Sequence, residues 1–212
     1  MNWQNKSSRR RGYHHGHLRE ALVAAALDLI GEKGPAGFTF AEAARSAGVS
    51  PAAPYRHFRD RDALLAEVAR QGFERLGAFL AKAWNDGAPD PVTAFDNVGR
   101  AYLAFARAEP AYYAAMFEAQ VPPDATPELT QATDEAFLVM QRAAEALVAR
   151  LPKGSRPPAR MVSLHVWSFA HGIASLFARG DAARRKLPMP PEELLEAGFL
   201  LYLDGLGKEP KS

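Results

Sequence analysis

Apolar residues recur at helical spacing along most of the chain. Beginning at Leu18, they follow at steps of four, three and four residues, which is the pattern of one buried face of an amphipathic helix. Clusters of glycine and proline separate this segment from later ones with similar periodicity. The pattern predicts an all-α protein with about nine helices and no strand. The predicted helices span approximately residues 17–33, 40–47, 51–58, 60 or 62 to 83, 92–107, 111–119, 127–150, 159–179 and 191–205.

The composition of the 212 residues agrees with an all-α fold. Alanine occurs 41 times and leucine 22 times, whereas valine, isoleucine and threonine together occur only 17 times. The chain has no cysteine, which excludes disulfides and thiolate metal sites. Its apolar runs are too short to span a bilayer, and no signal peptide is evident. We therefore expect a cytoplasmic protein that does not associate with a membrane.

The net charge of +2 is unevenly distributed along the chain. Residues 1–60 carry nine basic and five acidic side chains, giving +4, whereas the remainder carries 17 basic and 19 acidic ones, giving −2. Residues 1–16 have no acidic residue and no apolar periodicity, which predicts a flexible arm ahead of the first helix. A basic head on a slightly acidic body is typical of contact with a polyanion, although a basic solvated tail would carry the same charge.

One segment near the N-terminus has the plan of two short helices joined by a tight glycine turn. Thr39 and Glu42 stand at the capping-box spacing of a helix start, and Gly48 supplies a turn that a side chain would strain. Ser50 and Pro51 are typical of the cap and first position of the next helix. That helix carries small residues, an arginine and hydroxyl groups, which suit contact with DNA bases and phosphates. An ordinary helical hairpin packed in a core has the same plan.

Longer sequence motifs favour the DNA-binding alternative. The chain has Ala-Gly-Val-Ser at 47–50, Tyr-x-His-Phe at 55–58 and a basic residue ahead of Leu64. With these motifs, residues 14–65 resemble the DNA-binding domain of tetracycline-repressor-like (TetR family) regulators. Members of this family are homodimeric repressors that release DNA when a small molecule enters the C-terminal domain.

The resemblance implies a domain plan and a set of DNA contacts. Residues 1–16 correspond to a flexible basic arm, 17–61 to the helix-turn-helix domain, and 62–212 to the ligand-binding and dimerisation domain. Phosphate contacts are implied for Thr39, Tyr55, His57 and Arg61, base-edge contacts for Ala52, Ala53 and Arg56, a DNA contact for Ser50, and minor-groove contacts for the arm residues Arg10 and Arg11.

Pro54 departs from the family pattern, which usually has leucine or isoleucine at this position. Proline lacks the N–H that would donate to Ser50, and it disfavours a helical conformation at Ala53. We therefore expect the regular part of the third helix to begin near Pro54, with a turn before it.

The C-terminal body is rich in aromatic residues and methionine. Trp167 followed by His171 and Gly172 is similar to the Trp…His-Gly signature of one TetR-type C-terminal domain. Aromatic residues at helical spacing are more often plain core than pocket walls, yet together they are able to enclose an apolar cavity. The predicted pocket residues are Tyr102, Phe105, Met116, Phe117, Phe137, Met140, Trp167 and His171.

The last two helices are the predicted dimer interface. The final helix has apolar residues on more than one face, so it has more surface to bury than its own body covers. TetR-like proteins dimerise through their last two helices, which agrees with this prediction. The alternative is that both helices are internal to one subunit. The predicted interface residues are Phe169, Ile173, Leu176, Leu195, Phe199 and Tyr202.

Together these features predict a transcriptional regulator, a homodimeric repressor of a palindromic double-stranded DNA operator that responds to an unknown small-molecule effector. The chain has no nucleophile elbow, phosphate-binding glycine loop or metal-ligand spacing, so we expect no catalysis, no cofactor and no metal. Two alternatives remain: a helical small-molecule-binding protein or enzyme with a merely structural hairpin, and a sequence-independent DNA-coating protein.

Overall fold

The computed structural model describes residues 17–178 and 189–206. Within these ranges the protein has eight α-helices, three short 3-10 helices and no strand. No helix in the described part of the chain is long and apolar enough to cross a membrane. The α-helices are α1 (Leu18–Lys33), α2 (Phe40–Ser46), α3 (Arg61–Trp84), α4 (Pro91–Ala108), α5 (Pro110–Phe117), α6 (Pro127–Ala149), α7 (Ala159–Ala178) and α8 (Pro191–Leu206).

The N-terminal helices form where the capping signals place them. The Thr39 side chain accepts the Glu42 backbone N–H, and the Glu42 carboxylate accepts the Thr39 backbone N–H, so the predicted capping box is confirmed. Gly48 has φ of 74°, the left-handed conformation that glycine adopts without strain. The arm predicted for residues 1–16, including Arg10 and Arg11, lies outside the described residues.

The prediction of a third helix over residues 51–58 is wrong in extent and type. The chain makes a turn at Pro51 and then a single 3-10 helix, Ala53–Arg56. The Ser50 carbonyl accepts the Ala53 N–H at 3.0 Å, because Pro54, four residues on from Ser50, has no N–H to donate. Ser50 is accordingly not a helix cap. The expected turn before Pro54 is present, but the helix that follows the turn, Ala53–Arg56, is a 3-10 helix and not an α-helix.

The body surrounds the long helix α3, which packs against α4, α5 and α6. Helix α7 packs on α4 and α6, and α8 covers α4 and α7. A Cβ on Gly99 of α4 would lie 2.9 Å from the Phe199 ring, so this glycine lets α8 approach α4 closely. Helix α5 contacts both α3 and α1, and it therefore joins the body to the N-terminal helices.

The connection between α1 and α2 requires glycine at position 37, where a side chain would not fit. A Cβ on Gly37 would lie 2.2 Å from the carbonyl oxygen of Lys33, whereas a Cβ on Gly31 of α1 meets nothing within 4 Å. We expect Gly37→Ala to lower the free energy of unfolding by about 1–3 kcal/mol, since the backbone must move. Gly31→Ala is the matched control and should raise it by roughly 0.5–1 kcal/mol. Urea unfolding measures both, and equal stability of the two variants would contradict the prediction.

Candidate DNA-binding surface and effector cavity

The turn and the 3-10 helix present a small, exposed set of side chains. Tyr55 is 63% exposed, and its ring is held edge-on against Phe40 of α2 with centroids 5.1 Å apart. Arg56 and His57 are exposed, and within the described residues neither side chain makes a hydrogen bond or ion pair. Pro54 is the buried residue of this 3-10 helix. This surface therefore presents the Arg56 guanidinium, which has no protein partner within the described residues, next to Tyr55, whose ring packs against Phe40.

The start of α2 combines a helix cap with a small charge network. Lys33 Nζ donates to Glu42 Oε1 at 3.0 Å, and Thr39 N donates to Glu42 Oε2 at 2.8 Å. The backbone N–H of Thr39, together with the Lys33 and Thr39 side chains, lowers the pKa of Glu42 to about 2. The carboxylate thus stays ionised and orients Thr39, which is exposed at the N-terminus of α2.

Other predicted DNA contacts are less available. Arg61 donates through Nε to the Phe38 carbonyl at 2.9 Å and through Nη2 to the Pro35 carbonyl. Its guanidinium also lies 4.9 Å above the Phe38 ring centroid. These contacts tie the α1–α2 connection to α3, so a phosphate would have to share a guanidinium that already has protein partners. Ala53 is half-buried, whereas Ser50 and Ala52 are exposed.

His171 of α7 lies within an aromatic cluster formed with α4 and α5. Its Nδ1 is 2.8 Å from the Tyr102 hydroxyl oxygen and 3.1 Å from that of Tyr113. The Trp167 indole N–H donates to the Tyr102 hydroxyl oxygen at 3.4 Å. The Phe117 ring stands against the imidazole with centroids 4.6 Å apart. We call these five residues the His171 cluster.

Burial keeps the His171 cluster uncharged. It raises the pKa of Tyr102 and of Tyr113 above their usual value, and it lowers the pKa of His171. The hydroxyls of Tyr102 and Tyr113 both lie within hydrogen-bond distance of His171 Nδ1, and the tautomer of the neutral imidazole decides which of these groups donates.

A cavity of about 290 Å³ opens beside this cluster, where the end of α5 meets α7. Two of its walls are aromatic, and the other four lining side chains are polar. None of the six is a lysine or an arginine. The lining residues are Tyr113, Phe117, Glu118, Gln120, His171 and Ser175.

The predicted pocket residues divide between this site and the plain core. Four of them, Tyr102, Phe117, Trp167 and His171, belong to the His171 cluster. The others are Phe105 and Met140, both buried in the core, Met116, which packs against Gly72 of α3, and Phe137, whose ring lies 6.2 Å from that of Trp167. Tyr113 also belongs to the cluster and lines the cavity, although it is not among the predicted pocket residues.

A second polar site lies between the N-terminal helices and the body. Glu67 of α3 is only 6% exposed and accepts hydrogen bonds from Arg70, at 2.9 and 2.7 Å, and from Gln71, at 2.8 Å. Arg19 of α1 donates to the same carboxylate at 2.9 Å. The Tyr112 hydroxyl of α5 donates to Gln71 Oε1 at 3.3 Å. One buried carboxylate thus links α1 and α3 directly, and α5 through Gln71.

The sequence contains one indication of this site, although the spacing of its apolar residues does not show which partners are involved. Glu67 is the only acid in the apolar run 64–69, and a buried acid requires partners. Burial works to raise the pKa of Glu67, but the hydrogen bonds from Arg70 and Gln71 and the charges of Arg70 and Arg19 outweigh it, so the pKa lies below its usual value.

The predicted interface residues on α7 and α8 do not all face outward. Ile173, Leu195 and Phe199 are buried within their own subunit, so their assignment to the interface needs correction: they are core residues. Phe169 and Leu176 are exposed, and Tyr202 is half-buried with its hydroxyl 3.1 Å from His165 Nδ1. Several other large apolar side chains are also exposed here. They are Met161, Leu164, Leu200 and Leu201.

Helix α2 with its capping box, the turn at Gly48 and the exposed residues 51–57, which we call the recognition segment, form a unit with α1. This unit is joined to a larger helical body. This arrangement defines a helix-turn-helix, DNA-binding transcriptional regulator. Residues 95–200 match the family model of the tetracyclin repressor-like C-terminal domain, and residues 22–68 match that of bacterial regulatory proteins of the tetR family. The chain belongs to the TetR family.

Solved structures share the whole fold. A protein of unknown function from Rhodococcus sp. RHA1 is 33% identical, with a TM-score of 0.75 over 93% of this chain and 100% of its own. A bacterial regulatory protein of the tetR family from Rhodococcus RHA1 is 18% identical, with a TM-score of 0.67 over 91% of this chain and 98% of its own. At that identity, the second likeness shows the fold alone.

One curated relative is similar over a short segment. The HTH-type transcriptional regulator BetI of Rhizobium meliloti is 46% identical over 58 residues, which are 27% of this chain and 29% of that protein. The match therefore spans less than a third of the relative's length.

Proposed function

We propose that this regulator is a homodimeric repressor that binds a palindromic DNA operator and leaves it when a small molecule enters the cavity beside His171. The observation that carries the DNA-binding half of this proposal is Arg56. Its guanidinium is exposed on the recognition segment and, within the described residues, is not committed to any protein partner. A free guanidinium at this position suits the O6 and N7 acceptors of guanine.

The other exposed side chains suit contact with the DNA backbone. Tyr55 is braced by Phe40, and Thr39 sits at the capped start of α2, so both present a hydroxyl from a fixed position. Phosphate contacts of this kind set the orientation of the protein without reading sequence. We propose that Thr39, Tyr55 and His57 hold the DNA backbone while Arg56 reads a base pair.

The short helix α5 connects the cavity to the DNA-binding unit in this proposal. Adjacent residues of α5 face opposite partners: Tyr113 lies against His171, and Tyr112 contacts Gln71 and the guanidinium of Arg75. A ligand that displaces Tyr113 would also shift Tyr112 against α3, because a short helix moves as one body. Gln71 shares the Glu67 carboxylate with Arg19 of α1, which carries the displacement into the N-terminal helices.

The exposed apolar side chains of α7 and α8 support the dimer. Leu201 is 75% exposed and Leu200 is 62% exposed, which is costly for a terminal helix in water. A two-fold partner that applies the same two helices would cover them in a four-helix bundle. Two DNA-binding units held in this way could reach successive half-sites of an operator.

Sedimentation combined with selection from random double-stranded DNA tests the proposed function. A dimer that enriches one palindromic sequence is the expected result. A chain that binds no DNA would favour a helical binding protein or enzyme, and uniform binding without enrichment would favour a DNA-coating protein. Either of those two results would overturn the proposal.

Replacement of Arg56 separates base reading from backbone binding. We expect Arg56→Ala to lower discrimination at one base pair of each half-site by about 1–3 kcal/mol. Tyr55→Phe is the control, because it removes a hydroxyl and should weaken all sequences similarly. Competition mobility shifts against single-base operator variants measure both effects. An unchanged sequence preference in Arg56→Ala would show that another residue reads the bases.

A further inference from the structure

Arg19 of α1 connects the DNA-binding unit, which consists of α1, α2 and the recognition segment, to the body. Its Nη2 donates to the buried carboxylate of Glu67 at 2.9 Å, and its guanidinium carbon lies 5.5 Å from the centroid of the Phe58 ring. Phe58 directly follows the recognition segment, is only 4% exposed, and donates its backbone N–H to the Pro54 carbonyl at 3.0 Å. One guanidinium therefore contacts both the body and the residue that ends the recognition segment.

The two contacts of Arg19 cross an opening in the packing. A crevice of about 550 Å³ lies between the DNA-binding unit and the body, lined by Arg19, Phe58 and residues of α3 and the start of α6. Close-packed side chains fix the angle between helices, whereas an open crevice does not restrain it at that place. A hydrogen bond between charged groups is stronger than a neutral one, so the bond from Arg19 to Glu67 can hold α1 where packing does not.

A second arginine holds the same carboxylate without joining the two parts of the protein. Arg70 donates to Glu67 at 2.9 and 2.7 Å, but both residues lie on α3, three positions apart. The Arg70 side chain is 21% exposed and that of Arg19 is 54% exposed, so Arg70 makes the more buried ion pair. Arg70 therefore contributes more to stability, whereas Arg19 links the carboxylate to α1.

We infer that Arg19 is a positioning residue for DNA binding, which holds α1 and the recognition segment in one orientation on the body without itself contacting DNA. This inference rests on the proposed function, because orientation matters where two recognition segments must meet two half-sites. Gln71 donates to the same Glu67 carboxylate, so a movement of α5 that reaches Gln71 would act on this ion pair. The proposed signal from the cavity would then enter the DNA-binding unit through Arg19.

Replacement of either arginine separates positioning from stability. Arg19→Met and Arg70→Met each remove one positive charge and keep an unbranched side chain. We expect Arg19→Met to weaken binding to the selected operator about tenfold, a loss typical of one coupled contact. Arg70→Met should weaken it less than about twofold. Arg70→Met should nevertheless have the lower urea midpoint, because it removes two hydrogen bonds to a buried acceptor. Operator affinities that follow the order of the stabilities would overturn the inference.

The salt dependence of operator binding distinguishes positioning from a direct phosphate contact. A lost phosphate contact makes the log–log salt slope shallower by ~0.9, whereas loss of a positioning residue leaves the slope unchanged. In a Glu67→Gln background, Arg19→Met should weaken operator binding by less than about twofold, because the carboxylate through which Arg19 acts is already gone. A shallower slope, or the full loss of affinity in that background, would show that Arg19 contacts phosphate and would overturn the inference.

A distance measurement without DNA tests the orientation itself. The chain has no cysteine, so Ser46→Cys on α2 and Asp134→Cys on α6 introduce two spin-label sites at exposed positions. With labelled chains diluted into unlabelled protein, pulsed dipolar spectroscopy should give a broader distance distribution in Arg19→Met than in the native protein, and an unchanged one in Arg70→Met. Equal distributions in all three proteins would overturn the inference. A native protein that selects no operator would instead count against the proposed function, since this measurement contains no DNA.

Discussion

A chain carrying Leu164→Glu and Leu201→Glu should be a folded monomer that has lost tight operator binding. Both side chains are exposed in the subunit, one on α7 and one on α8, so the subunit itself loses little packing. Two-fold pairing would bury both leucines, and four buried carboxylates in one interface would prevent association. Linked half-sites gain about 10²–10⁴-fold in avidity, so we expect the operator affinity to fall by at least about 100-fold.

Analytical ultracentrifugation and mobility shifts on the selected operator measure these two effects. Leu138→Glu is the matched control, since Leu138 and Leu164 are equally exposed, at 40%, but Leu138 lies on α6. This variant should remain a dimer with full operator affinity. A dimeric double variant with unchanged affinity would move the interface away from α7 and α8.

Removal of the buried carboxylate between the DNA-binding unit and the body should have the largest effect on stability. We expect Glu67→Ala to lower the free energy of unfolding by roughly 3 kcal/mol, the lower end for breaking a buried ion pair. The lower end applies because Arg19 is half exposed and Arg70 also pairs with Glu74. Glu74→Ala is the control. It removes an exposed partner of the same arginine and should cost less than about 1 kcal/mol.

The same carboxylate predicts a pH dependence of stability. Because the folded protein lowers the pKa of Glu67, its stabilising contribution is complete above the ordinary value of 4.5 and is lost as the pH falls through the folded pKa. In urea unfolding, the difference between the native protein and Glu67→Ala should therefore be largest near neutral pH and shrink below about pH 4.5. A difference that grows in acid would mean that Glu67 is not stabilised as a carboxylate.

Local sequence signals were sufficient where one segment determines its own structure. The Thr39–Glu42 capping box forms as predicted, because both partners lie within one helical turn. Gly48 takes a positive φ for an equally local reason. The two prolines of the recognition segment correctly indicate a turn before Pro54, yet the same reasoning kept an α-helix over residues 51–58. Once Pro54 cannot donate to Ser50, the competing 3-10 bond from Ala53 closes the turn instead.

Periodicity identifies which helices are amphipathic but not which partner each face meets. Ile173, Leu195 and Phe199 have the spacing expected of an interface, and they are buried against their own subunit. The exposed residues Leu200 and Leu201 lie next to Phe199 in the same helix. Only the packing of α8 on α4, which Gly99 allows, decides which of these neighbours is covered.

The sequence by itself determined the all-α class, the helix-turn-helix unit and the family, because these depend on short-range spacing and local capping chemistry. Only the tertiary structure decided how distant residues combine. Tyr102, Tyr113 and His171 come from three helices, and Arg19 and Glu67 are 48 residues apart. Hydrogen bonds of this kind depend on how helices are placed relative to one another, and that placement follows from the packing of the whole core rather than from any local pattern.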